Sequence, residues 1–94
     1  MIQSFGDKET QKVFSRKYSQ KLPPDIQQRA HERLLFVDSA ETVESLRIPP
    51  SNRLHALSGT RKGSWSISIN NQWRITFQWG LRGPENVKIE DYHS

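Results

Sequence analysis

Five side chains in the second half of the chain have types that could together move protons and stabilise a phosphate. They are His55, Arg74 and the closing run Asp91, Tyr92 and His93. The set offers a permanent cation, a carboxylate, a phenol and two imidazoles, and an imidazole can be acid or base near neutral pH. It suits cleavage of RNA by the RNA's own 2′-hydroxyl group, with arginine stabilising the charged phosphorane. Taken singly, an exposed arginine is more often solubilising, and a terminal histidine more often belongs to a frayed tail.

Positive charge is concentrated in the same part of the chain. The 94 residues carry a formal net charge of +4, yet no acidic residue lies between Glu44 and Glu85. That stretch holds six basic residues: Arg47, Arg53, Arg61, Lys62, Arg74 and Arg82. A basic block within one small domain is typical of a protein that binds a polyanion. The alternative is a solvated surface that happens to be basic.

Other familiar chemistries lack their residues. The sequence has no cysteine, which excludes disulfides and thiolate metal sites and favours a reducing cytoplasm. His31 and Glu32 resemble the start of a zincin motif, but its second histidine is missing. No phosphate-binding glycine loop or serine elbow occurs, so we expect neither metal nor organic cofactor. No apolar run is long enough for a membrane span, and we expect no membrane partner.

The first half of the chain reads as helical. Ile2–Phe5 is a candidate short strand, and Asp7 can cap a first helix that runs to about Ser19. Pro23 and the residues after it predict a second helix to about Ser39, since proline is tolerated in a first turn. The buried positions are expected to be Val13, Phe14, Tyr18, Ile26, Ala30, Leu34 and Val37.

The second half reads as an antiparallel sheet. Short strands are predicted at Arg53–Leu57, Ser64–Ile69 and Trp73–Trp79, with a turn at 80–84 and a last strand around Val87 that ends near His93. Alternation puts the tryptophans and isoleucines on one face and leaves Arg74 on the other. Residues 1–94 are therefore predicted to form a single α+β domain, in which an N-terminal helical hairpin packs on one face of the sheet. The other face should be polar, basic and open.

Several spaced motifs resemble the HigB-type toxins of the RelE/ParE superfamily. They are the run Asn-Arg-Leu-His-Ala-Leu-Ser-Gly from Asn52, Gly-Ser-Trp-Ser-Ile from Gly63, Asn-Gln-Trp-Arg-Ile-Thr-Phe from Asn71, and Glu-Asp-Tyr-His from Glu90. The opening Met-Ile-Gln-Ser-Phe also fits, so the resemblance covers nearly the full chain. The family's Leu-His histidine falls on His55, its Trp-Arg arginine on Arg74, and its terminal Asp-Tyr-His on residues 91–93. One position departs: some members carry lysine where this chain has Ser58, and Arg61 and Lys62 are the nearby candidates to replace its charge.

The resemblance implies a two-helix, antiparallel-sheet microbial RNase fold. It implies the toxin of a type II toxin–antitoxin pair, an endonuclease that cuts mRNA in the A site of the 70S ribosome. It also implies a HigA-like helix-turn-helix antitoxin that, together with the toxin, binds operator DNA. In that setting we expect ribosomal RNA to contact the basic residues Arg47, Arg53, Arg61, Lys62 and Arg82.

Two other functions remain open at this point. The ParE branch of the same superfamily poisons DNA gyrase without enzymatic activity, although a gyrase binder has no need of His55 or of Asp91, Tyr92 and His93. A plain RNA-binding module would use the basic block alone. The codon preference and the assignment of general acid and general base are not readable from the sequence.

Overall fold

The computed structural model describes residues 1–91, and within them two α-helices stand beside a four-stranded sheet. Helix α1 comprises Lys8–Phe14 and helix α2 comprises Pro24–Ser39. Two 3₁₀ helices, Val43–Arg47 and Pro50–Asn52, connect α2 to the sheet. The strands are β1 (His55–Ala56), β2 (Ser64–Ser68), β3 (Trp73–Gly80) and β4 (Gly83–Asp91), and a third 3₁₀ helix, Gly59–Arg61, lies between β1 and β2.

The sheet is a meander in the order β1-β2-β3-β4, with each strand antiparallel to the next. Its register aligns one residue from each strand in a single row: His55, Ser66, Thr76 and Lys88. Because side chains alternate between the two faces of a strand, these four share one face. We call it the polar face.

The helices cover the opposite face and bury the core against it. Asp7 caps α1 as predicted, since its carboxylate accepts a hydrogen bond from the backbone N–H of Thr10 at 2.8 Å. The α2 stripe predicted from the sequence is fully buried. The core consists of Val13, Ile26, Ala30, Leu34, Val37, Leu46, Ile67, Ile69, Ile75, Phe77, Val87 and Ile89. The predicted α+β class, with a helical hairpin on one sheet face, is confirmed.

The first helix is shorter than the sequence predicts. It ends at Phe14 instead of near Ser19, and Arg16 then adopts the left-handed conformation with φ of 62°. Ser19 is instead buried in the connection and donates to the carboxylate of Glu9 at 2.5 Å. The prediction that Tyr18 is buried is wrong, because its place lies beyond the helix and its side chain is 61% exposed.

The edges of the sheet also differ from expectation. Strand β1 begins at His55, later than predicted, because Arg53 has φ of 49°, a left-handed conformation that does not continue a strand. It ends at Ala56, one residue short of the predicted end. Ile2–Phe5 is not a regular strand, yet it runs parallel to β4, with a bridge between Phe5 and Val87. Strand β4 begins at Gly83, so the predicted turn at 80–84 narrows to Leu81 and Arg82.

Candidate active site

Two hydroxyl-bearing residues at the centre of the polar face, Ser66 and Thr76, are buried. Ser66 is fully buried and Thr76 is 5% exposed, whereas His55 at the strand edge is exposed. The sequence predicted that the polar face would be open. This prediction is wrong for the centre of the face, where Ser66 and Thr76 are buried. Long charged side chains from the same face and from the β1–β2 loop cover these hydroxyl groups. Hydrogen bonds with the hydroxyl groups hold the charged side chains in place.

Arg74 is the first of these side chains. Its Nε donates to the hydroxyl oxygen of Ser66 at 2.9 Å, and its Nη2 donates to the backbone carbonyl of Arg53 at 3.2 Å. The carbonyl of Arg53 faces the guanidinium just before the chain enters β1. Two hydrogen bonds from one planar group fix both its position and its plane. Ser66 lies directly opposite His55 on the neighbouring strand, and both His55 and Arg74 line the same cavity.

A second pair of charges crosses the polar face beside Arg74. Arg61, from the β1–β2 loop, binds the carboxylate of Glu90 through both terminal nitrogens, at 3.1 and 2.6 Å. The hydroxyl of Thr76 also donates to Glu90. Burial alone would raise the pKa of Glu90, but the hydrogen bonds of Arg61 and Thr76 and the charges of Arg61 and Lys88 hold that pKa below its usual value. The same ion pair raises the pKa of Arg61, mainly through the hydrogen bond to Glu90.

These residues enclose a cavity of about 440 Å³ on the polar face. It is lined by His55, Leu57, Ser58, Arg61, Arg74, Thr76, Glu90 and Asp91. Three of the five predicted catalytic residues, His55, Arg74 and Asp91, line this cavity. Asp91 does so from the end of β4, where the register pairs it with Trp73 and not with Arg74. The carboxylate of Asp91 accepts a hydrogen bond from Gln72 at 3.0 Å at the end of β4. Tyr92 and His93 lie outside the described residues, so their place at this cavity stays a prediction.

The five predicted RNA-contacting residues do not form one cluster. Arg61 lines the cavity, next to Lys62 in sequence, and Arg53 lies just before β1. Arg47 instead pairs with Glu44 in the first 3₁₀ helix, at 2.5 Å. Arg82 occupies the β3–β4 turn, and about 20 Å of strand separates this turn from Arg74 at the usual rise per residue. Of these five residues, Arg61 lines the cavity, whereas Arg47 and Arg82 lie in other parts of the fold.

Thr76 and Glu90 line the cavity but were not singled out as functional groups in the sequence. Both follow the alternation of their strands, which puts them on the face of Arg74, and the register places Glu90 directly opposite Arg74. The alternation along the strands was the sequence signal that could have identified them. No such signal indicated that Arg61 would pair with Glu90, because the two residues are 29 positions apart and Arg61 lies in an irregular loop.

Residues 1–91 contain no group of three or more histidine, aspartate or glutamate side chains arranged to hold a metal ion. Over the same residues, the helices are too short and too polar for any of them to span a membrane.

Comparison with known sequences finds a family model and a relative that span nearly the whole chain, and a further relative that spans part of it. The family model described as the RelE-like toxin of type II toxin–antitoxin system HigB matches residues 3–93. The protein named Endoribonuclease HigB from Proteus vulgaris is 34% identical over 93 residues, which cover 99% of this chain and 100% of that protein. Toxin HigB-1 from Vibrio cholerae serotype O1 is 41% identical over 58 residues, 62% of this chain and 61% of its own length.

Comparison with solved structures supports the fold. A crystal structure of a YafQ mutant from E. coli superposes with a TM-score of 0.64, covering 98% of this chain and 92% of that one. YafQ from E. coli strain BL21(DE3) gives a TM-score of 0.58 with the same coverage. Sequence identity is 12% in both cases, so the likeness concerns the arrangement of helices and strands.

Proposed function

We propose that this chain is an endoribonuclease that cuts mRNA in the ribosomal A site. The chain belongs to the HigB family of RelE-like toxins from type II toxin–antitoxin systems. The relative from Proteus vulgaris is named as an endoribonuclease and matches this chain along its full length. The observation that carries the proposal is the cavity on the polar face, which His55, Arg74 and Asp91 line together.

In the proposed reaction the nucleophile is the 2′-hydroxyl of the nucleotide 5′ to the cleaved bond. It attacks the adjacent phosphorus, the bond to the 5′-oxygen of the next nucleotide breaks, and a 2′,3′-cyclic phosphate forms. Arg74 stabilises the negative charge that develops on the phosphorane, which a guanidinium fixed by two hydrogen bonds can do without rearranging. His55, Asp91 and His93 share the two proton transfers, and the phenol of Tyr92 is a further donor. No metal ion enters this scheme.

The proposed partners follow from the same reading. A HigA-like helix-turn-helix antitoxin neutralises the toxin, and operator DNA is bound through the complex of the two. The 70S ribosome presents the mRNA, and Arg53, Arg61 and Lys62 contact RNA phosphates around the cavity, with Arg47 and Arg82 further out. Such a toxin acts in the cytoplasm.

The proposal is tested by mapping cleavage on purified ribosomes programmed with a defined mRNA. We expect cuts within the A-site codon, a 5′ fragment that ends in a 2′,3′-cyclic phosphate and a 3′ fragment that begins with a 5′-hydroxyl. The matched controls are the same mRNA without ribosomes and the Arg74→Ala variant, neither of which should give the cuts.

Two outcomes would overturn it. Binding to the programmed ribosome without any cleavage would indicate an RNA-binding module. Inhibition of DNA gyrase supercoiling, with the mRNA intact, would indicate a gyrase poison of the ParE type.

A further inference from the structure

A second cavity lies on the polar face, on the other side of the Arg61–Glu90 pair from the candidate active site. Its volume is about 490 Å³. It shares Arg61, Thr76 and Glu90 with the first cavity, so the ion pair forms the wall between the two. A chain of nucleotides that crosses the polar face would pass from one cavity directly into the other.

The remaining polar groups of this cavity come from strands β3 and β4. The side-chain amide of Asn86 donates to the amide oxygen of Gln78 at 2.6 Å. Asn86 has φ of 53° at an irregularity in the β3–β4 register between Thr76 and Gln78, and there the extra β4 residue reaches the polar face. Each primary amide carries two N–H donors and one oxygen acceptor, so the pair presents further hydrogen-bonding groups beyond the bond that joins it.

Lys88 supplies the positive charge that belongs to this cavity alone. Its side chain lies beside Gly6, where a Cβ atom would come within 3.1 Å of the Cβ of Lys88. Glycine at this position therefore leaves room for the lysine stem along the sheet. The ammonium group lies close enough to Glu90 that its charge helps to lower the pKa of that carboxyl.

The positions of Arg74 and Lys88 define the path of an RNA strand that contacts both. Arg74 and Glu90 occupy one row of the polar face, and Thr76 and Lys88 occupy the next row on that face. Two residues along a β-strand correspond to about 6–7 Å. Because β3 and β4 also lie about 4.8 Å apart, the Cα atoms of Arg74 and Lys88 are separated by roughly 8 Å. The guanidinium of Arg74 is directed towards β2, so an RNA strand that contacts both cations crosses the Arg61–Glu90 pair.

We propose that the second cavity is a binding subsite for the nucleotide next to the cleaved bond, with Lys88 on its phosphate and the Gln78–Asn86 pair on its hydrogen-bonding groups. Arg61 stands between the two cavities and contacts the RNA at the boundary. The inference rests on the proposed endoribonuclease function and goes beyond it, because it assigns a role in substrate binding to residues outside the predicted catalytic set.

The test measures coupling between Lys88 and individual phosphate charges. Ribosomes are programmed with mRNAs that carry one neutral methylphosphonate linkage, placed either one position 5′ or one position 3′ of the cleaved bond. For the unaltered protein, we expect one of these linkages to lower kcat/KM roughly fivefold, the size of a typical coupling between neighbouring groups. Lys88→Gln should lower kcat/KM on normal mRNA by a similar factor and should lose its sensitivity to that linkage.

Lys21→Gln is the matched control, since it makes the same charge change at an exposed site in the α1–α2 connection. It should keep the full sensitivity to the neutral linkage, and both variants should melt at the temperature of the unaltered protein. If Lys88→Gln remains as sensitive as the unaltered protein to both linkages, the subsite is wrong although the toxin still cuts. If the unaltered protein does not cut normal mRNA, the proposed function itself fails, and the inference falls with it.

Discussion

The two faces of the sheet are buried by different means. On the helix-covered face, Ile67, Ile75 and Phe77 pack against α2 and are at most 1% exposed. On the polar face, Ser66 and Thr76 are nearly as buried, but they are covered by Arg74 and by the Arg61–Glu90 pair. Apolar packing is non-directional and depends on area, whereas each contact on the polar face depends on the placement of one donor and one acceptor.

This difference separates stability from function in a small domain. Burying apolar side chains stabilises the fold regardless of their exact orientation, so the helix-covered face can supply most of the stability. The polar face holds charges at fixed positions over hydroxyl groups, which suits the stabilisation of a reaction with developing charge. Changes on the first face should therefore lower the free energy of unfolding, and changes on the second should lower the rate of cleavage.

The largest expected effect is on stability, from Leu34→Ala on α2. Leu34 is fully buried, so its truncation should lower the free energy of unfolding by about 3 kcal/mol through lost burial and the cavity left behind. Urea unfolding measures this loss. The neighbouring Leu35 is 43% exposed, and Leu35→Ala should cost less than about 1 kcal/mol. Equal losses in the two variants would contradict the described packing of α2.

Arg74→Ala should affect the rate of cleavage more than it affects stability. Loss of a positioned charge at the phosphorane should lower kcat by roughly 10²-fold or more. Stability should fall by about 1–2 kcal/mol, because Ser66 loses the donor to its buried hydroxyl. Single-turnover cleavage and urea unfolding measure the two quantities, with Arg29→Ala at an exposed position of α2 as the control. A stable Arg74→Ala protein that cuts at the normal rate would remove Arg74 from the mechanism.

Ser66→Ala tests whether the buried hydroxyl that accepts from Arg74 acts on cleavage through Arg74. Removing the acceptor of Nε should lower kcat by about tenfold, the equivalent of one hydrogen bond to a charged group. In an Arg74→Ala background the same change should have almost no further effect, since the two residues act through one contact. Additive losses would mean that Ser66 contributes independently of Arg74.

Glu90→Gln should have the smallest effect, and that effect should depend on pH. The pKa of Glu90 is lowered in the folded state, so its ionisation stabilises the fold above the ordinary glutamate pKa, and this contribution is lost as the pH falls through the folded pKa. Urea unfolding at pH 7 should show a loss of about 1 kcal/mol relative to the unaltered protein, because the pair is partly exposed.

At pH 3 the difference between the two proteins should shrink, since the carboxyl becomes increasingly protonated there. Glu44→Gln is the matched control, because its pair with Arg47 lies at the surface and should contribute less at both pH values. A Glu90→Gln difference that is constant with pH would contradict the ion pair with Arg61.

Much of this arrangement was readable from the sequence, for definite physical reasons. The alternation around Trp73–Trp79 assigned Arg74 to the polar face, and Asp7 was recognisable as a helix cap because its side chain acts locally. The end of α1 was not predictable, since it depends on a left-handed Arg16 and on Ser19 bonding to Glu9. The covering of the polar face was also hidden, because it depends on a loop that brings Arg61 over β4.

The most direct test removes a single 2′-hydroxyl group from the substrate. An mRNA with a single 2′-deoxy nucleotide immediately 5′ of the cleaved bond is bound in the A site, with the all-ribose mRNA as its control. Binding should persist, because one hydroxyl contributes little to it, whereas cleavage should stop because the nucleophile is missing. Cleavage of the 2′-deoxy mRNA at the normal rate would contradict the 2′-hydroxyl mechanism, and with it the proton-transfer roles proposed for His55, Asp91 and His93.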